Sequence, residues 1–203
     1  FLELRLFNAN YFLLYYVGFG KPLIEFAKKN GVHFINLISE LSNENVDEVK
    51  YPILSEYIKR FFKLANGEWY NSEEEANNYY TQQEVFNKLM KDGFPKLNYN
   101  YAAQLLLNFE LRSEFMKLVG ENIKKKIPDN SLVIDDLVKF CIQRIYDPPF
   151  INKKDTMELS YNSAKHLASY IHDHKDYAND DVKDNIEKQG EYRDLFDSSQ
   201  SKE

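Results

Sequence analysis

Seven glycines and six prolines are all the strong backbone punctuation in this 203-residue chain. Average usage would supply about twice as many of each. Sandwiches, barrels and dinucleotide-binding folds turn sharply every few residues, and Gly and Pro make those turns without strain. A chain poor in both is expected to run in long helices with short connections. The expected fold is therefore all-α: a multi-helix, orthogonal bundle-like domain of about seven to nine helices with an acidic C-terminal tail.

Charge and cysteine content exclude several functional classes. At 43% hydrophobic residues and a net charge of −6, the chain is too apolar to be wholly disordered. Its single Cys excludes an internal disulfide framework and a four-Cys zinc site. An acidic pI near 5.4 argues against a nucleic-acid partner. Residues 6–20 carry no charge, yet this run is shorter than the roughly 20 residues of a membrane span and has no basic leader, so it reads as a buried helix. No Asn-x-Ser/Thr sequon occurs. Together with the lone Cys, this sets the expectation of a cytoplasmic, non-membrane protein. A first residue of Phe1 rather than Met fits a processed chain or a piece of a longer one.

Periodicity places the helices. Leu4, Phe7, Tyr11, Leu14 and Tyr15 keep near-helical spacing over residues 2–17, with Gly18 and Gly20 as the stop. Pro22 opens a short helix that Asn30-Gly31 closes. Residues 32–41 are ambiguous and are read as helix. Pro52 starts a strongly amphipathic helix ending at Asn66-Gly67. Residues 68–80 are acidic, aromatic and weakly periodic. Thr81-x-x-Glu84 reads as a capping box for a helix to Asp92-Gly93. Residues 98–108, 110–126 and 132–146 follow as helices. Asp155 with Glu158 is expected to cap a last one reaching about His172. The expected organisation is a helical core over 1–150, a final helix packed on it over 151–175, and an acidic, partly disordered tail over 176–203. Residues 173–203 hold ten acids against five bases, so most of the net charge lies there.

Few motifs carry chemistry. Asp180-Asp181-x-x-Asp184 has the spacing that holds Mg²⁺ in helical diphosphate enzymes, but it lies in the acidic tail, where a solvated run explains it. His166, His172, Asp173 and His174 form the best metal-like cluster, although only 166 and 173 share a helix face. A helix C-terminus favouring protonated His explains that cluster more plainly. Tyr161 and Lys165 have dehydrogenase spacing without the Gly-rich turn after a strand that this chemistry needs. Cys141 lies on an apolar stripe, and Lys124–Lys126 sit at a helix end, where the dipole accounts for them. No cofactor is implied.

The aromatics are the sharper lead. Trp69, Tyr70, Tyr79 and Tyr80 flank Glu73-Glu74-Glu75, and such rings bury large areas at interfaces for little entropy. They are the expected partner-binding residues of a non-catalytic helical interaction or accessory domain, itself part of a larger chain. Two alternatives stand beside this. One is a metal-dependent helical hydrolase or lyase using the His/Asp cluster. The other is a helical binder of an apolar small molecule.

Overall fold

The computed structural model describes residues 1–43, 45–67, 69–92, 97–143, 156–173 and 191–193. Helix α1 (Leu2–Tyr11) runs into a single π-helical turn, Phe12–Tyr16. The chain then reverses through Gly18 and Gly20, both left-handed at φ +72° and +73°. A side chain on Gly20 would also press Met116, since a Cβ there would lie 3.0 Å from Cε. Helices α2 (Lys21–Lys29), α3 (Phe34–Asn43) and α4 (Pro52–Asn66) follow. Next come α5 (Glu73–Tyr80) and α6 (Gln83–Asp92). Helix α7 (Leu97–Leu107) leads into α8 (Phe109–Lys126), and a 3₁₀ turn at Pro128–Asn130 joins α8 to α9 (Ser131–Gln143). Helix α10 (Tyr161–Asp173) lies between two three-residue strands, β1 (Thr156–Glu158) and β2 (Glu191–Arg193), which pair antiparallel with Met157 opposite Tyr192.

Helix α8 is the hub. It packs against α3, α4, α7 and α9, and ten of its 18 residues are buried, so it is enclosed on more than one side. Phe115, Met116, Val119 and Ile123 meet Leu37, Leu54, Ile134 and Leu137 in one continuous core. Gly120 sets the closest approach: a Cβ there would lie 2.5 Å from Val138 Cγ2 on α9. Helix α10 adds Ala164, Leu167, Ala168 and Tyr170 to the same core.

Polar side chains finish helix ends across element boundaries. Tyr51, at the N-terminus of α4, has no capping side chain, and Glu114 of α8 accepts the Leu54 N–H at 2.8 Å instead. Asp136 of α9 serves α10, accepting from Ser160 N–H at 2.9 Å and Ser163 Oγ at 2.7 Å. Burial alone would push the Asp136 carboxyl up, but those hydrogen bonds outweigh it and hold the pKa below the usual carboxylate range. Arg112, 1% exposed, donates to Ile142 O at 3.0 Å and Leu106 O at 2.8 Å. It thereby satisfies orphan carbonyls at the C-termini of both α9 and α7.

The all-α expectation holds, with ten α-helices among the described residues, one more than the sequence reading reached. The additional helix is α5. Ser72 caps it by accepting from Glu75 N–H at 3.1 Å, and Glu75 reaches back to Asn71 N–H at 2.8 Å. The local cap is therefore Ser72 together with Glu75, whose carboxylate reaches one residue past the N-cap, and the assignment to Thr81 is corrected. Thr81 closes α5, its hydroxyl donating to Asn77 O at 2.7 Å. The cap expected from Glu158 is also corrected: Glu158 lies in β1, and α10 starts after Ser160, whose carbonyl accepts the Ala164 N–H at 2.9 Å. The uncharged run 6–20 is only partly buried. Leu6, Ala9, Leu13 and Leu14 face the core, while Tyr15, Tyr16 and Val17 face solvent. Apart from β2, the expected tail 176–203 lies outside the described residues.

Candidate interaction surface

The chain from Trp69 through α6 has an unusual surface balance. None of its described side chains is buried, although Trp69, Tyr79, Phe86 and Met90 are large, apolar and exposed. Helices of eight and ten residues are marginal alone in water and normally persist by burying an apolar face. Here α5 and α6 pack on each other. The four rings singled out from the sequence divide into two groups. Tyr70, Tyr79 and Tyr80 form a triangle with centroids 5.2–5.6 Å apart. Trp69 packs instead against Phe1, at 4.5 Å. The Tyr70 hydroxyl is pushed up to about 12, first by loss of hydration, then by its hydrogen bond with Tyr80 and by the neighbouring Tyr79 and Glu75.

A second aromatic surface went unread in the sequence. It forms around the π turn, where Val17 N–H bonds Phe12 O at 3.0 Å in an i→i+5 step. The wide turn adds a residue to the helix circumference, so the rings four and five positions after Tyr11 both reach it. Tyr15 stacks on Tyr11 at 5.0 Å, and Tyr16 meets the same ring edge-on at 5.8 Å. Phe34 of α3 joins at 6.1 Å from Tyr11, while Phe12 links Tyr16 at 6.0 Å to Tyr99 of α7 at 4.7 Å. Tyr15, Tyr16 and Tyr99 are 59%, 70% and 61% exposed. Beneath this surface, Tyr101 donates to Asn10 Oδ1 at 2.9 Å, and Asn10 Nδ2 to Ser42 Oγ at 3.3 Å. That buried network pins α1 to α7 and α3, so the rings stand on a fixed base. The available sequence signal was the charge-free run 6–20. Its exposure depends on the π turn, which periodicity does not announce.

The metal-like cluster is only partly within the described residues. His166 is half-buried, with Nε2 3.0 Å from Pro22 O and its ring edge-on to Phe26 at 5.0 Å. A carbonyl only accepts, so Nε2 carries a proton and is not available to a metal. Burial lowers the His166 pKa and outweighs the Pro22 hydrogen bond, which raises it; Lys29 and Glu25 act more weakly in opposite directions. The side chains of His172 and Asp173, and all of His174, lie outside the described residues, as does the Asp180–Asp184 motif. Among the described residues no group of three or more His, Cys, Asp or Glu could hold a metal ion. Cys141 is buried. Lys124 and Lys126 pair with Asp135 and Glu40, tying the end of α8 to α9 and α3.

Two grooves border Ile53, one of about 590 Å³ between α4 and α7 and one of about 430 Å³ between α8 and α9. Glu56 and Arg60 line the first, and Lys117 and Lys139 the second, so neither is a dry apolar chamber. Among the described residues, no helix is long and apolar enough to cross a membrane.

The fold and these surfaces define a small all-helical domain with exposed aromatic faces. Comparison with protein-family models, with curated proteins and with solved structures finds no match for this chain.

Proposed function

We propose that the chain is a non-catalytic helical protein-interaction domain, working as an accessory part of a larger assembly, and that Trp69 and the triangle of Tyr70, Tyr79 and Tyr80 bind its partner. One observation carries this reading: the helical hairpin α5–α6 buries none of its described side chains yet holds large apolar groups in solvent. Docking a partner would remove those groups from water and stabilise two short helices together, at about 25 cal/mol per Å² of apolar area. Glu73, Glu74 and Glu75 at the start of α5 favour a partner that brings positive charge to the rim.

The test uses Trp69→Ala and Tyr79→Ala, both at exposed positions. Untagged protein purified from its own cells is examined by native mass spectrometry, with thermal unfolding measured in parallel. The expected outcome is a co-purifying protein chain that the double variant loses, with the unfolding midpoint unchanged to within about 2 °C. Unfolding of both variants would make these rings part of the fold and overturn the reading. So would a wild-type protein carrying only a small-molecule adduct.

A further inference from the structure

We infer that the groove between α4 and α7 is the contact face of a two-fold dimer, its occupant a second copy of this chain. One flank of α4 carries Ile53, Glu56, Arg60 and Leu64, spaced 0, +3, +7 and +11, so the four share a single stripe of the helix. Glu56, Arg60 and Leu64 are exposed and Ile53 is half-buried. From either end the stripe reads apolar, charged, charged, apolar, and its two charges are of opposite sign. The midpoint of Glu56 and Arg60 is residue 58, and that of Ile53 and Leu64 falls within one residue of it. A two-fold interface needs this symmetry, because each surface must complement itself. With the two α4 helices antiparallel across an axis at that midpoint, Glu56 of each copy meets Arg60 of the other, and Leu64 of each meets Ile53 of the other.

Both charges are available for that contact. A Glu four residues before an Arg is well placed to pair with it along a helix. Yet among the described residues neither Glu56 nor Arg60 forms an ion pair. Lys59, on the outer side of α4, is already taken by Glu48 at 2.7 Å. The other residues lining the groove are apolar or neutral, and Leu107 of α7 lines it with Ile53. Leu64 and Leu107 are 63% and 61% exposed, so an incoming Leu64 has an apolar seat to fill. An unrelated helix would need to complement this stripe but not to mirror it, and the mirrored order is what favours a second copy. From Ile53 to Leu64 the stripe is about 16 Å long. That is short for an interface burying about 800 Å² per partner, so the dimer is expected to be weak, near 100 µM on the order of magnitude.

The test is sedimentation equilibrium of the full chain from about 10 µM to about 1 mM. Wild type should show a monomer–dimer equilibrium that weakens with added salt. Glu56→Arg alone, or Arg60→Glu alone, sets like charges opposite each other at both symmetry-related positions, and each should weaken the dimer at least about tenfold. An equal mixture of those two variants should regain it, because one copy then brings two positive charges and the other two negative. The double variant carrying both changes should also regain it, which guards against a folding artefact. Leu64→Ser, which alters no charge, should weaken the dimer as well. Trp69→Ala should dimerise as wild type does, so this inference and the hairpin reading fail independently. Four results would overturn the inference: a monomer at about 1 mM, undiminished dimers of the single charge variants, no dimer in their mixture, or a dimer lost with Trp69→Ala, which would move the contact to α5–α6.

Discussion

Arg112 takes a full charge into the core, and the geometry around it accounts for that. Its guanidinium lies 5.0 Å from the Phe109 ring centroid and donates to carbonyls in the last turns of α7 and α9, where helix dipoles concentrate negative potential. The planar fork reaches two acceptors at once, which a lysine ammonium on a flexible stem does not reproduce. Arg112→Met fills similar space but leaves the Leu106 and Ile142 carbonyls short of a donor. It should cost about 3 kcal/mol in urea unfolding, and Arg112→Lys should recover less than half of that. The residue scale is also where the site was half legible. Trp69, Tyr70, Tyr79 and Tyr80 stood out because they crowd an acidic stretch. Tyr15 and Tyr16 did not, because Phe12 and Tyr99 meet only after the intervening helices have packed.

At the scale of elements, local chemistry was legible wherever a stop or a cap was local. Pro52 starts α4, and Asn30-Gly31 closes α2, as their backbone preferences require. Ser72-x-x-Glu75 carries the same kind of signal and went unread because α5 has little apolar periodicity behind it. Thr81 and Glu158 misled for the converse reason: a spacing that fits a capping box does not say which neighbouring segment becomes helix. Where the cap comes from another helix, as with Glu114 and Asp136, nothing local could announce it. Gly120→Ala gains helix propensity of about 1 kcal/mol but drives a methyl into Val138 on α9. The net expectation is a loss of about 1–2 kcal/mol in denaturant unfolding. Adding Val138→Ala should relieve the clash, so the double variant should fall short of the summed single losses. Additive losses would place the contact elsewhere.

For the whole molecule, α8 holds α3, α4, α7 and α9 together, while α10 closes onto α2 and α9. The His166–Pro22 bond is part of that closure, and burial of the His166 ring within it makes stability depend on pH. His166 titrates lower when folded than when unfolded, so the folded state resists protonation. No penalty exists above the unfolded pKa near 6.5; it grows as pH falls below that value and levels off below the depressed folded pKa. The urea midpoint should therefore drop between pH 7 and pH 5. His166→Gln keeps an N–H for Pro22 and has no ring to titrate, so it should flatten that drop. An unchanged profile in the variant would assign the effect to another group. A further loss is expected below about pH 4, where Asp136, held low in the folded state, takes up a proton and releases Ser160 and Ser163.

Scarcity of Gly and Pro, together with helical apolar stripes, determined by itself that this chain is all-α and where most helices run, because those preferences act within a few residues. Tertiary structure alone decided which rings face solvent, which carboxylate caps which helix, and that an uncharged run expected in the core carries an exposed tyrosine face. Those outcomes depend on how separate helices approach one another, and no local stretch of sequence contains that distance.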